Sequence, residues 1–98
     1  MKKGDTRDFL ETIASQDAWL RIGERGFFVN GCCTFKDKEG VEHARLEIYE
    51  MGPDLQTWVQ DVCSITKPTV QEAMEEFLRI PLIDGKTFWE LEPELEWV

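Results

Sequence analysis

Phe27-Phe28-Val29-Asn30-Gly31-Cys32-Cys33-Thr34-Phe35-Lys36, Asp37-Lys38-Glu39-Gly40 and Val41-Glu42-His43-Ala44-Arg45-Leu46-Glu47-Ile48-Tyr49-Glu50 read as strand, turn and strand. Both flanks are rich in β-branched and aromatic residues, and the four residues between them end in glycine, as a hairpin loop does. Alternate residues of a strand point to opposite faces. Pairing Lys36 with Val41 therefore groups Phe27, Val29, Gly31, Cys33 and Phe35 with Ala44, Leu46 and Ile48 on a buried face. Phe28, Asn30, Cys32, Thr34, His43, Arg45, Glu47 and Tyr49 fall on the solvated one. A slip of one residue would exchange the two faces, so the apolar pattern itself specifies register.

Working outward, Asp5 or Thr6 can cap a first helix carrying Phe9, Leu10 and Ile13 as its apolar stripe. Ala18 to Ile22 reads as extended, with a turn at Glu24-Arg25-Gly26. On the other side, Met51-Gly52-Pro53-Asp54 turns the chain. Residues 55–65 satisfy both helical and strand patterns; their β-rich composition after a tight turn favours a strand from Thr57 to Ile65. Thr69-Val70-Gln71-Glu72 has the form of a capping box and opens a helix over 70–79, with Val70, Ala73, Met74, Phe77 and Leu78 on one side. Thr87-Phe88-Trp89-Glu90 offers a second capping box, and Glu94 to Val98 can finish as an edge strand after Pro93.

The expected fold is α+β within a single domain spanning 1–98. It has an antiparallel sheet of three to four strands built on the 27–36/41–50 hairpin. The N-terminal helix and the 70–79 helix pack on one face. Ninety-eight residues suffice for a core without disulfide staples.

Charge carries the main functional signal. The net of −9 is unevenly spread: residues 1–49 hold nine acids and eight bases, residues 50–98 eleven acids and three bases. Direct nucleic-acid binding is disfavoured, because phosphate contacts need clustered Lys and Arg, and an anionic membrane surface is disfavoured likewise. Met1-Lys2-Lys3 is followed by no apolar leader, and no run approaches the roughly 20 apolar residues of a membrane span. Three cysteines, two of them adjacent, fit reduced thiols and a cytoplasmic location.

Familiar catalytic and cofactor motifs are absent: no P-loop, nucleophile elbow, zinc-protease helix or calcium loop. Cys32, Cys33, Cys63 and His43 lack metal-ligand spacing, so no metal or cofactor is expected. The favoured reading is a non-enzymatic interaction module whose acidic second half meets a basic protein partner, in the manner of an inhibitor or immunity-type protein. Its candidate contacts are Glu72, Glu75, Glu76, Trp89, Glu90, Glu92, Glu94, Glu96 and Trp97, carboxylates mimicking phosphate and tryptophans anchoring. A second reading is a thiol-dependent or small-ligand site on the outer hairpin face, with Cys32 and His43 as catalytic pair beside Arg45 and Tyr49. A third is a homodimer through an exposed edge strand, with charge serving solubility.

Overall fold

A computed structural model describes all 98 residues. Asp5 caps the first helix, α1 (Thr6–Ile13), by accepting the Asp8 amide at 3.1 Å, and Phe9 and Ile13 bury its inner side. Four long strands follow: β1 (Ala18–Ile22), β2 (Arg25–Lys36), β3 (Glu42–Met51) and β4 (Trp58–Lys67). Then come α2 (Val70–Arg79), a small hairpin of β5 (Pro81–Ile83) and β6 (Lys86–Thr87), α3 (Phe88–Leu91), a 3-10 turn (Glu92–Glu94) and β7 (Glu96–Trp97). The main sheet is antiparallel in the order β4-β3-β2-β1-β7.

The α+β class and the positions of both helices are those expected from sequence, and the ambiguous 55–65 stretch supplies β4. The sheet reaches five strands because each end of the chain contributes: Ala18–Ile22 pairs with β2, and Glu96–Trp97 pairs with β1. Lys2 bridges to the same edge, donating its amide to the Leu95 carbonyl at 2.7 Å and accepting the Trp97 amide at 2.9 Å. Helices cover one face only. Phe27, Val29, Leu46, Ile48 and Ile65 from the sheet meet Phe9, Ile13, Ala73, Phe77, Phe88 and Leu91 from the helices, all at 3% exposure or less.

Within the hairpin the register changes once. Phe27 to Asn30 pair with Glu50 to Glu47, as the sequence implies, but Cys33 to Lys36 pair with Arg45 to Glu42. The extra residue is a β-bulge, and it exchanges the faces beyond it. Cys32, not Cys33, is therefore buried, while Cys33 and Phe35 join Arg45 and His43 on the outer face. Gly31 sits at the bulge because nothing larger fits. A Cβ there would lie 2.0 Å from the Gln16 carbonyl oxygen, in the connection between α1 and β1. The Gly31 amide donates to the Asp17 carboxylate at 3.0 Å, fixing the same contact.

α2 starts at Thr69, whose hydroxyl accepts the Glu72 amide at 3.1 Å; α3 carries a complete reciprocal capping box between Thr87 and Glu90. That second box ends β6 and turns Phe88 inward and Trp89 outward.

Candidate interaction surface

The apolar stripes of α1 and α2 are wider than the sheet can cover. On α1, Phe9 and Ile13 reach the core, while Leu10 and Ala14 lie one residue further round the helix and stay half-buried. On α2, Ala73 and Phe77 are buried, and Met74 and Leu78 occupy the equivalent offset. A residue advances about 100° round an α-helix. These two secondary columns therefore face each other across the gap between the helices. Trp89 closes one end of that gap, giving an open apolar groove of about 620 Å³. Its volume lies within the roughly 300–1,000 Å³ of ligand-sized sites. Trp89 is 55% exposed and rests edge-on against buried Phe88, at 5.1 Å between ring centroids. A large indole held against a rigid ring and left half in water is preorganised for an apolar contact.

The groove's rim is charged but mostly self-paired. Arg7 and Glu11 form an i,i+4 ion pair at 3.4 Å. Glu92 is held by the Met1 amino group and by the Thr6 hydroxyl, the latter at 2.9 Å. That ammonium, followed by Thr6, holds the Glu92 carboxyl below the ordinary carboxylate range.

The carboxylates singled out from sequence divide into two groups. Glu76 is bound by Arg79 and Lys67, Glu92 by the Met1 amine and Glu96 by Lys3, and each has its pKa drawn down by the first-named cation. Glu72, Glu75, Glu90 and Glu94 have no basic group within 4.0 Å. Glu75 accepts from Gln71 at 3.2 Å, and Glu90 is held by its Thr87 cap, which lowers its pKa. Only the second group remains free of ionic commitments.

Trp97 is not placed to anchor a partner. Its register opposite Leu20 turns the ring to the core side of β7, where it meets Phe9 edge-on at 5.5 Å. Gly4 lies over the ring so closely that a Cβ would approach Trp97 to 2.5 Å. Of the two tryptophans expected to serve as anchors, Trp89 alone is available.

The outer hairpin face does not assemble the expected thiol–imidazole pair. The bulge buries Cys32 among core side chains, and burial pushes its pKa up. His43 points the other way, its ring tilted 31° against Phe35 at 5.5 Å and its Nε2 bonding the Asp37 carboxylate at 2.8 Å. Arg45 lies 4.7 Å over the Phe35 ring. Tyr49 donates to Glu47 at 2.8 Å. Neither Cys33 nor His43 lines any of the four clefts in the protein. A polar cleft beside β5–β6 is spanned by Arg25, whose guanidinium bonds Glu50 at 2.9 and 3.1 Å and also reaches Asp84. That cation is already satisfied, and it pulls the Glu50 carboxyl below its ordinary range.

Sequence reasoning missed Leu10, Ala14, Met74 and Leu78 as surface groups, because an apolar column at helical spacing looks the same whether it is covered or open. The available signal was width: each helix carries two adjacent apolar columns where one would seal the core.

The chain matches no known protein-family model, and no curated protein or solved structure compared with it is similar. No helix is long and apolar enough to cross a membrane.

Proposed function

We propose that this protein is a small acidic cytoplasmic interaction module, of the inhibitor or immunity type, that docks a basic protein partner across its helical layer. The observation that carries this reading is the α1–α2 groove closed by exposed Trp89, whose α2 wall and Trp89 come from residues 50–98, the half of the chain with eleven acids against three bases. The division of labour follows from physical chemistry. Leu10, Met74, Leu78 and Trp89 supply desolvated contact, where binding energy concentrates. Glu72, Glu75, Glu90 and Glu94, with no ion-pair partner within 4.0 Å, supply the negative field that steers a cationic surface and raises its association rate.

An apolar ridge with flanking Lys or Arg is the complementary shape, and an amphipathic helix is the simplest element presenting one. The mechanism is occlusion: the partner's cationic surface is neutralised and covered. A pull-down at low and high salt, with wild type beside Trp89→Ala, tests this. Enrichment of proteins with basic surfaces, reduced both by salt and by the substitution, is expected. Capture indifferent to both would refute the reading.

A further inference from the structure

The face of the sheet opposite the helices is covered by no helix, only at one end by the Gly52–Thr57 loop, and its composition differs from the rest of the surface. Trp19, Phe28, Tyr49 and Asp61 stand directly across from one another on β1, β2, β3 and β4. Their rings form a continuous row, 5.1 Å from Trp19 to Phe28 and 6.2 Å from Phe28 to Tyr49. Trp58 extends it by donating its indole N–H to Asp61 at 3.2 Å, and is 59% exposed. The row is bounded at one end by the Gly52–Thr57 loop, whose Leu55 folds onto Gly26.

Charge on this face is balanced. Along the strands Arg21, Arg45 and Lys3, the last paired with Glu96 at 2.8 Å, offset Glu47, Asp61 and Glu96, and the loops add only Asp37, bonded to His43, and Asp54 beside Trp19. The net of −9 therefore belongs to the helical layer, the loops and the edges. Like-charge repulsion that keeps copies of an acidic protein apart is weakest where two copies would meet sheet to sheet.

We propose that this open face is a self-association surface, on which a second copy of the chain packs sheet against sheet. The strands β4, β3, β2, β1 and β7 hold 10, 10, 12, 5 and 2 residues; at about 3.3 Å per residue and about 4.8 Å between strands they present roughly 600 Å² in projection. Two such faces reach the ~1,000 Å² that separates specific interfaces from incidental contacts. A twofold axis along the strands, between β2 and β3, lays the Phe28 column of one copy on the Tyr49 column of the other. It also lays β1, which carries Arg21, on β4, which carries Asp61.

The edge of β4 is a poorer candidate. Its register against β3 shifts twice, between Ile48 and Tyr49 and between Glu50 and Met51, and bulges of this kind twist an edge away from strand pairing. The dimer leaves both helical grooves on its outer surfaces, so it does not depend on their role.

Light scattering or sedimentation from about micromolar to hundreds of micromolar tests the proposal, since mass action makes a weak dimer concentration-dependent. The expected result is a mass approaching twice 11.4 kDa, with association strengthened by salt, because screening relieves net repulsion while apolar contact persists. Trp19→Glu and Tyr49→Lys should each weaken association at least tenfold with far-ultraviolet circular dichroism retained, and Trp89→Ala should leave it unchanged. A monomer at every concentration overturns the proposal. So does a dimer that survives both outer-face substitutions, or one lost with Trp89→Ala. The opposite salt response expected of groove binding keeps the two readings separable.

Discussion

Adding one methyl group at Gly31 should be among the most damaging small changes this protein can suffer. In Gly31→Ala the new Cβ would stand 2.0 Å from the carbonyl oxygen of Gln16, 2.5 Å from its carbon and 2.9 Å from its nitrogen. Ordinary contact begins near 3.4 Å, so that oxygen must retreat by about 1.4 Å (3.4 less 2.0). No flexible side chain can yield, because all three atoms are backbone. The segment is held by the Gln16 and Ser15 amides donating to the Thr12 carbonyl at 2.8 and 3.2 Å, and by Asp17 accepting from Gly31 itself at 3.0 Å. Overpacking costs about 1–3 kcal/mol, and loosening one or two of these hydrogen bonds adds about 1 kcal/mol each.

A destabilisation of roughly 3 kcal/mol is expected, against a total of about 5–15 kcal/mol for a domain of this size. In a thermal melt followed by circular dichroism that corresponds to a midpoint roughly 12–24 °C lower. Gly40→Ala is the control. Gly40 has φ +82 in open space, so its substitution carries only the conformational penalty of about 1 kcal/mol. If Gly31→Ala melts within about 1 kcal/mol of wild type, or above Gly40→Ala, the bulge is not locked against the α1–β1 connection as described.

Trp97→Ala should cost about 2 kcal/mol in urea denaturation, less than the roughly 3–5 kcal/mol of a fully buried aromatic because Trp97 is half-buried against the core, whereas Trp89→Ala should stay within about 1 kcal/mol while abolishing the groove's anchor. Arg25→Met should lower stability at pH 7 by about 1 kcal/mol, a modest figure because the guanidinium is 40% exposed. Arg25 depresses the Glu50 pKa, so the pair's contribution is complete above the unfolded carboxyl value of about 4.3. It fades as pH falls through the lowered one, and denaturation curves of variant and wild type should converge in acid. Under native alkylation, exposed Cys33 should react first. Cys32 and Cys63, raised in pKa by burial, should lag until the protein unfolds; fast labelling of Cys32 would place the bulge wrongly.

The hairpin, both main helices and the α+β class were legible because each rests on local periodicity or a local cap. The bulge was not. Cys32 and Cys33 are equally apolar, so alternation alone cannot say which points inward, and Gly31 was the single hint that another backbone comes close. The tail was half legible. Its alternation correctly separates Leu95 and Trp97 from Glu94 and Glu96, but the ring of Trp97 is half-buried against Phe9 and Gly4, some ninety residues earlier. The pairing of Glu92 and Glu96 with the N-terminal segment is equally remote in sequence. Ion pairs of that span follow from topology, which is why a uniformly acidic tail resolves into neutralised and free carboxylates only once folded.

The central claim, that the α1–α2 groove receives an apolar, basic segment, is most directly tested by titrating the isotope-labelled protein with a helical Leu/Lys peptide and its Leu/Glu counterpart. The reporters are the Trp89 indole N–H, assigned by its loss in Trp89→Phe, and the Met74 methyl. The Leu/Lys peptide should shift both resonances, more weakly at high salt, and leave the Trp19 and Trp58 indoles in place, while the Leu/Glu peptide shifts none. Equal response to both peptides, or shifts at Trp19 and Trp58 with Trp89 unmoved, would contradict the account.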